Sequence, residues 1–402
     1  MCEDNGIGIS VRTPKGWVEA AARRPGIEYI AADGCDLPAA YDAAVEAVRH
    51  VRERRSPVFL HLSTVRLMGH AGSDVESAYR TQREIRADLE RDPLVRTAAL
   101  MVEAGLITPE ELLTTYEMAR EHVLKIAEET ARSPRLSSAK EVMEPIAPRR
   151  PDLIAKISPM AAAPADREKA FAGSLPENDK PMTLSQAVNR TLADALAVYP
   201  EMTVFGEDVA KKGGVYGVTR GLQKRFGAGR VFDTLLDEQA ILGLALGSGV
   251  SKLLPVPEIQ YLAYLHNALD QIRGEAATLS FFSRGAYTNP MVVRVASYAY
   301  QKGFGGHFHN DNAVAALRDI PGLVIASPAR PDDASAMLRT CLAAARTAGS
   351  VCVFLEPIAL YHTRDLFDEG DGGGWRRTRR PRAGRRRTCR SGGRAPTATG
   401  AT

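Results

Sequence analysis

"VFDTLLDEQAILGLALGSGV", residues 231–250, decides the fold. It opens as a short apolar strand, turns past two acids at Asp237 and Glu238, and continues as a helix of small and apolar residues. The next strand candidate, "PVPEIQYL" (255–262), follows almost at once. Outward from this core, "MTVFGEDV" (202–209), "PMVVRVAS" (290–297), "PGLVIASP" (321–328) and "VCVFLEP" (351–357) repeat the strand pattern. "DASAMLRTCLAAA" (333–345) supplies another helix. Near-continuous apolar strands alternating with helices predict a parallel sheet covered on both faces.

The same rhythm occupies residues 1–131. "IEYIAADG" (27–34) and "PVFLHLST" (57–64) read as buried strands, with helical periodicity from Leu37 to Arg54 between them. A long helix is predicted over "TPEELLTTYEMAREHVLKIAEETA" (108–131), where Thr108 caps, Pro109 suits the first helical position and Glu111 completes a capping box. Residues 132–181 hold eight prolines and little periodicity, and read as a linker or extended crossing arm. The fold class is therefore α/β: two modules with parallel sheets flanked by helices, at 1–131 and 182–371. Residues 372–402 have no core-forming pattern and are expected to be disordered.

Length and composition limit the function classes. The 402 residues are 45% hydrophobic and 25% charged, ordinary values for a globular protein of two or more domains. No apolar run is long enough to cross a bilayer, so no membrane partner is expected. Five cysteines are scattered without a CxxC pair, which points to a reduced, cytoplasmic protein without a zinc site. The net charge of +4 belongs to the tail: ten arginines and no acid lie after Asp371, leaving −6 on the rest. The body thus has no electrostatic case for nucleic acid. The tail reads either as an arginine-rich RNA-binding arm or as out-of-frame translation of GC-rich DNA.

Three side chains stand out chemically. His70 in "RLMGHAGSD" (66–74) and His309 in "GFGGHFHNDN" (303–312) lie in small-residue loops after strand candidates, where parallel sheets bind ligands. "HFHND" (307–311) also spaces His307 and His309 to share a metal on an extended segment, though further ligands are missing. Glu238 sits where a strand meets a helix. A desolvated acid there would have a raised pKa and could move a proton near neutrality. The alternative is a second helix-capping acid beside Asp237. Composition leaves both readings open.

Taken in order, "EDNGIGIS" (3–10), "RLMGHAGSD…ESAYRTQREI", "DTLLDEQAILGLALG", "PEIQYLAYLHNALDQI" and "HFHNDN…PGL" resemble the thiamine-diphosphate-dependent decarboxylase component of 2-oxoacid dehydrogenase complexes. Residues 1–131 resemble the second half of an alpha chain, and 182–371 the first part of a beta chain, hence an alpha–beta fusion. The resemblance implies that the Asn5 side chain and the Ile7 carbonyl bind Mg2+, a cation that prefers oxygen ligands. The GDG half of that motif is expected before Met1, and a further beta-chain domain after Asp371, so the chain reads as truncated at both ends. By the same resemblance Glu238 activates thiamine diphosphate, His70 and His309 are active-site histidines, and Tyr264 is an aromatic neighbour of the cofactor. A packing role for Tyr264 stands beside that. The implied reaction is oxidative decarboxylation of a 2-oxoacid, with branched-chain substrates favoured over pyruvate, and acyl transfer to a lipoyl-bearing acyltransferase. Sites of this family form where alpha and beta surfaces meet, so a homo-oligomer is implied. A non-catalytic fragment or interaction subunit is the alternative reading.

Overall fold

The computed structural model describes residues 1–300 and 306–377. Most of the tail expected to be disordered, 378–402, lies outside them. The chain divides into two units, Met1–Pro134 and Arg135–Thr402.

The first unit contains strands β1 (Cys2–Asp4), β2 (Glu28–Asp33) and β3 (Val58–Ser63), with helices α1 (Trp17–Ala22), α2 (Leu37–Arg54), α3 (Gln82–Leu89), α4 (Pro93–Glu103) and α5 (Pro109–Ala131). The sheet order is β1-β3-β2, all parallel. Its apolar cluster is small: Ile30, Ala43 and Leu60 are buried, with Val58, Leu62 and alanines of α2 against them. α5 starts as predicted, with the reciprocal bonds of the Thr108–Glu111 capping box both present.

The second unit has a six-stranded parallel sheet, in the order β5-β4-β6-β7-β9-β8. Its strands are β4 (Met202–Gly206), β5 (Val231–Asp233), β6 (Leu254–Ile259), β7 (Met291–Ser297), β8 (Val324–Ala326) and β9 (Val351–Pro357). Its helices are α6 (Ala139–Ile146), α7 (Pro151–Ile157), α8 (Pro164–Phe171), α9 (Leu184–Val198), α10 (Leu222–Phe226), α11 (Glu238–Val250), α12 (Leu262–Leu265), α13 (Leu279–Phe282), α14 (Ala315–Arg318) and α15 (Pro331–Ala348). Side chains of period two divide the core between the two faces of the sheet. Val204, Val256, Val292 and Phe354 pack with α9 and α15. Phe205, Ile259, Val293 and Val353 pack with α11.

On the α9–α15 face an ionic network is buried. Arg294 of β7 donates from Nε and Nη2 to Glu356 of β9 at 2.6 and 2.8 Å, and from Nη1 to Glu258 of β6 at 2.6 Å. The Tyr361 hydroxyl also donates to Glu356, at 2.7 Å. Gly206, ending β4 at φ 154°, lies so close to β6 that a Cβ there would meet the Glu258 carbonyl oxygen at 2.6 Å. Only glycine fits that approach.

Two readings need correction. Residues 132–181 are not an irregular arm: α6, α7 and α8 lie within them. Phe171 joins the core, and buried Arg167 binds Asp194 of α9 (2.7 Å) and Glu177 (2.8 Å). Pro151 and Pro164 begin helices, the position where a missing N–H costs nothing. Nor does loss of pattern start at Gly372. Arg376 exchanges two backbone hydrogen bonds with Met182, and the Arg364 guanidinium stacks 3.9 Å from the Trp375 ring centroid.

Candidate functional site

In the second unit the loops after β4, β5, β6 and β7 converge on one group of side chains. Asp237 caps α11, its carboxylate accepting from the N–H groups of Gln239 (3.1 Å) and Ala240 (3.3 Å). With capping done by Asp237, Glu238 turns inward and is 8% exposed. Asn267 Nδ2 donates to its Oε2 over 3.4 Å, the only hydrogen bond that the described residues give it. Capping therefore accounts for Asp237 and leaves Glu238 without a structural duty. Glu207, just after β4, lies near enough for the charges to interact. Burial first, then the carboxylates of Asp208 and Glu238, raise the Glu207 pKa.

His309 completes this group. Its Nε2 is 3.0 Å from the Tyr264 hydroxyl, and Tyr261 meets the ring edge-on at 4.7 Å between centroids. The phenol of Tyr264 is raised by burial, then by Tyr261, Glu238 and Glu207. Tyr264 thus packs and also makes a directed hydrogen bond. His307 and His309 lie in a single turn of 3₁₀ helix, not an extended segment, so their predicted shared orientation fails. No group of three or more His, Cys, Asp or Glu among the described residues could hold a metal. Sequence reasoning missed Glu207, Tyr261, Asn267 and the 2.8 Å pair His266–Asp311. An acid directly after a strand, as in "FGED" (205–208), was the available signal for Glu207.

In the first unit, Asn5 and Ile7 form the turn after β1. Asp4 Oδ1 accepts from Gly6 N–H (2.8 Å), and Asn5 Oδ1 from Ile7 N–H (3.1 Å). Asp4 Oδ2 is held by His61 Nε2 (3.1 Å), whose Nδ1 meets the Tyr29 hydroxyl (2.6 Å), a chain across all three strands. His70 is exposed after β3. Its N–H donates to Asp74 Oδ2 (2.7 Å), which also accepts from Tyr79 (2.5 Å). These two hydrogen bonds, Tyr79 first, lower the Asp74 pKa. Arg66 joins the loops after β1 and β3, donating to the Gly8 carbonyl and to Tyr79, both at 2.7 Å. Asn5, Ile7 and His70 are thus brought to loops at one end of one sheet.

Residues 1–138 match the family described as dehydrogenase E1 component, and residues 180–362 match the transketolase pyrimidine-binding domain. The chain carries a dehydrogenase E1 match and a transketolase-type pyrimidine-binding match, each over less than half of its length. It joins an alpha-type segment to a beta-type domain, as an alpha–beta fusion does. Among its relatives is the 3-methyl-2-oxobutanoate dehydrogenase subunit beta of Mycobacterium tuberculosis, 37% identical over 210 residues, 52% of this chain and 58% of the relative. The pyruvate dehydrogenase E1 component subunit beta of Staphylococcus epidermidis is 38% identical over 187 residues, 45% of this chain and 54% of the relative. Its Staphylococcus aureus counterpart is 39% identical over the same length. The chain spans little more than half the length of these relatives. The family is thiamine-diphosphate-dependent. Among the described residues, no helix is long and apolar enough to cross a membrane.

Proposed function

We infer that this chain takes part in the oxidative decarboxylation of a 2-oxoacid and the transfer of the acyl group to a lipoyl-bearing acyltransferase. A branched-chain 2-oxoacid is favoured over pyruvate, supported by the longer alignment with the 3-methyl-2-oxobutanoate relative. One observation carries the reading: the Glu238 carboxylate is buried, has a single long hydrogen bond and acts on the phenol of Tyr264, which itself meets His309.

Those residues fit thiamine diphosphate. A buried carboxylate with acceptor capacity to spare suits a ring nitrogen of an aminopyrimidine, and Tyr264 offers an aromatic edge beside it. When bound, the cofactor supplies the electron sink that loss of carbon dioxide requires. Glu238 would hold and move the proton at the ring nitrogen, while His309 and His70 orient substrate and handle protons. The Asn5 amide oxygen and the Ile7 carbonyl are uncharged oxygen donors, suited to Mg2+ together with phosphate oxygens and water.

The test is Glu238→Gln, assayed for decarboxylation with an artificial electron acceptor while cofactor binding is titrated separately. Loss of a proton-transfer group predicts a fall of roughly 10²–10⁴-fold in rate with binding retained. Unchanged activity overturns the assignment. So does a wild-type chain whose melting temperature fails to rise with thiamine diphosphate and Mg2+.

A further inference from the structure

The contact between Tyr264 and His309 is more specific than packing. The phenol oxygen lies 3.0 Å from Nε2, and Tyr261 closes on the ring at an interplanar angle of 88°. Two residues further along each segment, His266 Nε2 meets Asp311 Oδ2 at 2.8 Å. Asn312 Oδ1 accepts from Ala299 N–H at 3.0 Å. Residues 264 and 266 therefore grip residues 309 and 311, and the imidazole has one orientation before any ligand arrives.

The proton inventory leaves the tyrosine hydroxyl able to donate. Tyr264 keeps its phenolic proton, because burial and the nearby Tyr261, Glu238 and Glu207 disfavour the phenolate. Among the described residues the only hydrogen-bond partner of its hydroxyl is His309 Nε2. With the hydroxyl taken as the donor, Nε2 is the acceptor of this 3.0 Å hydrogen bond. A ring nitrogen that accepts carries no proton, so the neutral imidazole holds its proton on Nδ1.

We propose that Tyr264 is a positioning residue that fixes His309 as the Nδ1–H tautomer. Nε2 then faces the tyrosine hydroxyl, and Nδ1–H is the donor that the ring presents. The functional consequence rests on the reading of His309 given above, whereas the tautomer itself is measurable without cofactor or substrate.

The full chain labelled with ¹⁵N-histidine is examined by two-bond nitrogen–proton correlation, the His309 signals being those lost in His309→Gln. Wild type is expected to show protonated Nδ1 and bare Nε2 at His309. Tyr264→Phe keeps the ring and removes the hydroxyl, so His309 should move to the Nε2–H form that histidine prefers in water. Tyr261→Phe, whose hydroxyl meets Tyr216 at 3.2 Å instead, should leave the tautomer unchanged. An Nε2–H tautomer in wild type overturns the proposal whether or not either variant folds. An unchanged tautomer in Tyr264→Phe, or the same change in Tyr261→Phe, also overturns it. An inactive chain with the Nδ1–H tautomer would sink the enzymatic reading alone.

Discussion

Arg294 lies at 1% exposure between two buried carboxylates, and none of the three could be left alone. The surrounding negative charge holds its pKa far above the ordinary value despite burial. Truncating the cation leaves Glu258 and Glu356 uncompensated in an apolar interior. Arg294→Met should therefore cost about 3–5 kcal/mol, read from urea unfolding. Glu207 gives a pH-dependent case. Its raised pKa means that the folded state binds a proton more tightly than the unfolded chain. The stabilisation is fully present below the unfolded carboxyl value and is lost as pH rises through the folded one. Glu207→Gln should flatten that loss, so its melting temperature gains on wild type as pH rises towards neutrality. A constant difference between the two across that range would contradict the sign. Single residues were only partly legible from sequence. Glu238 stood out by its place at a strand–helix junction. Tyr261 and Asn267 act through neighbours distant in the chain, and no local pattern announces them.

Among elements, α11 shows how much a strand–helix junction can specify. Asp237 was readable as its cap, and the carboxylate does accept two orphan N–H groups. Asp237→Ala should destabilise the second unit by about 1 kcal/mol. It should also speed amide exchange at Gln239 and Ala240 while β7 stays protected. Protection unchanged at those two amides would show that packing, not the cap, holds the first turn. Strands β2–β9 and helices α2, α5, α11 and α15 were legible because apolar period and length agree there. Helices α6–α8 were not, because proline ordinarily breaks a helix, whereas Pro151 and Pro164 occupy first-turn positions. Their anchoring is tertiary: Arg167 reaches Asp194, and Arg339 of α15 donates to the same carboxylate at 2.8 Å. A salt bridge between segments so far apart in the chain leaves no periodic trace.

At the scale of the whole molecule the two units differ in what they bury. The first relies on Ile30, Ala43 and Leu60, each still 7–8% exposed. The second has two clusters, one on each face of its sheet, in which Val204, Val256, Val292, Phe205, Ile259 and Val293 are 0% exposed. Apolar burial contributes roughly 25 cal/mol per Å², so the first unit has far less holding it together. Units with separate cores open with separate free energies. Heating should therefore give two transitions, the first unit melting first. The chain's two tryptophans allow a direct check, because Trp17 lies in α1 and Trp375 stands beside the Met182–Arg376 bridge of the second unit. In Trp375→Phe the remaining fluorescence follows the first unit, and in Trp17→Phe the second. The Trp17 midpoint should be the lower of the two, with calorimetry resolving two peaks at matching temperatures. Coincident midpoints would mean that the units unfold as one cooperative body, and that the thin sheet of β1–β3 draws its stability from beyond its own core.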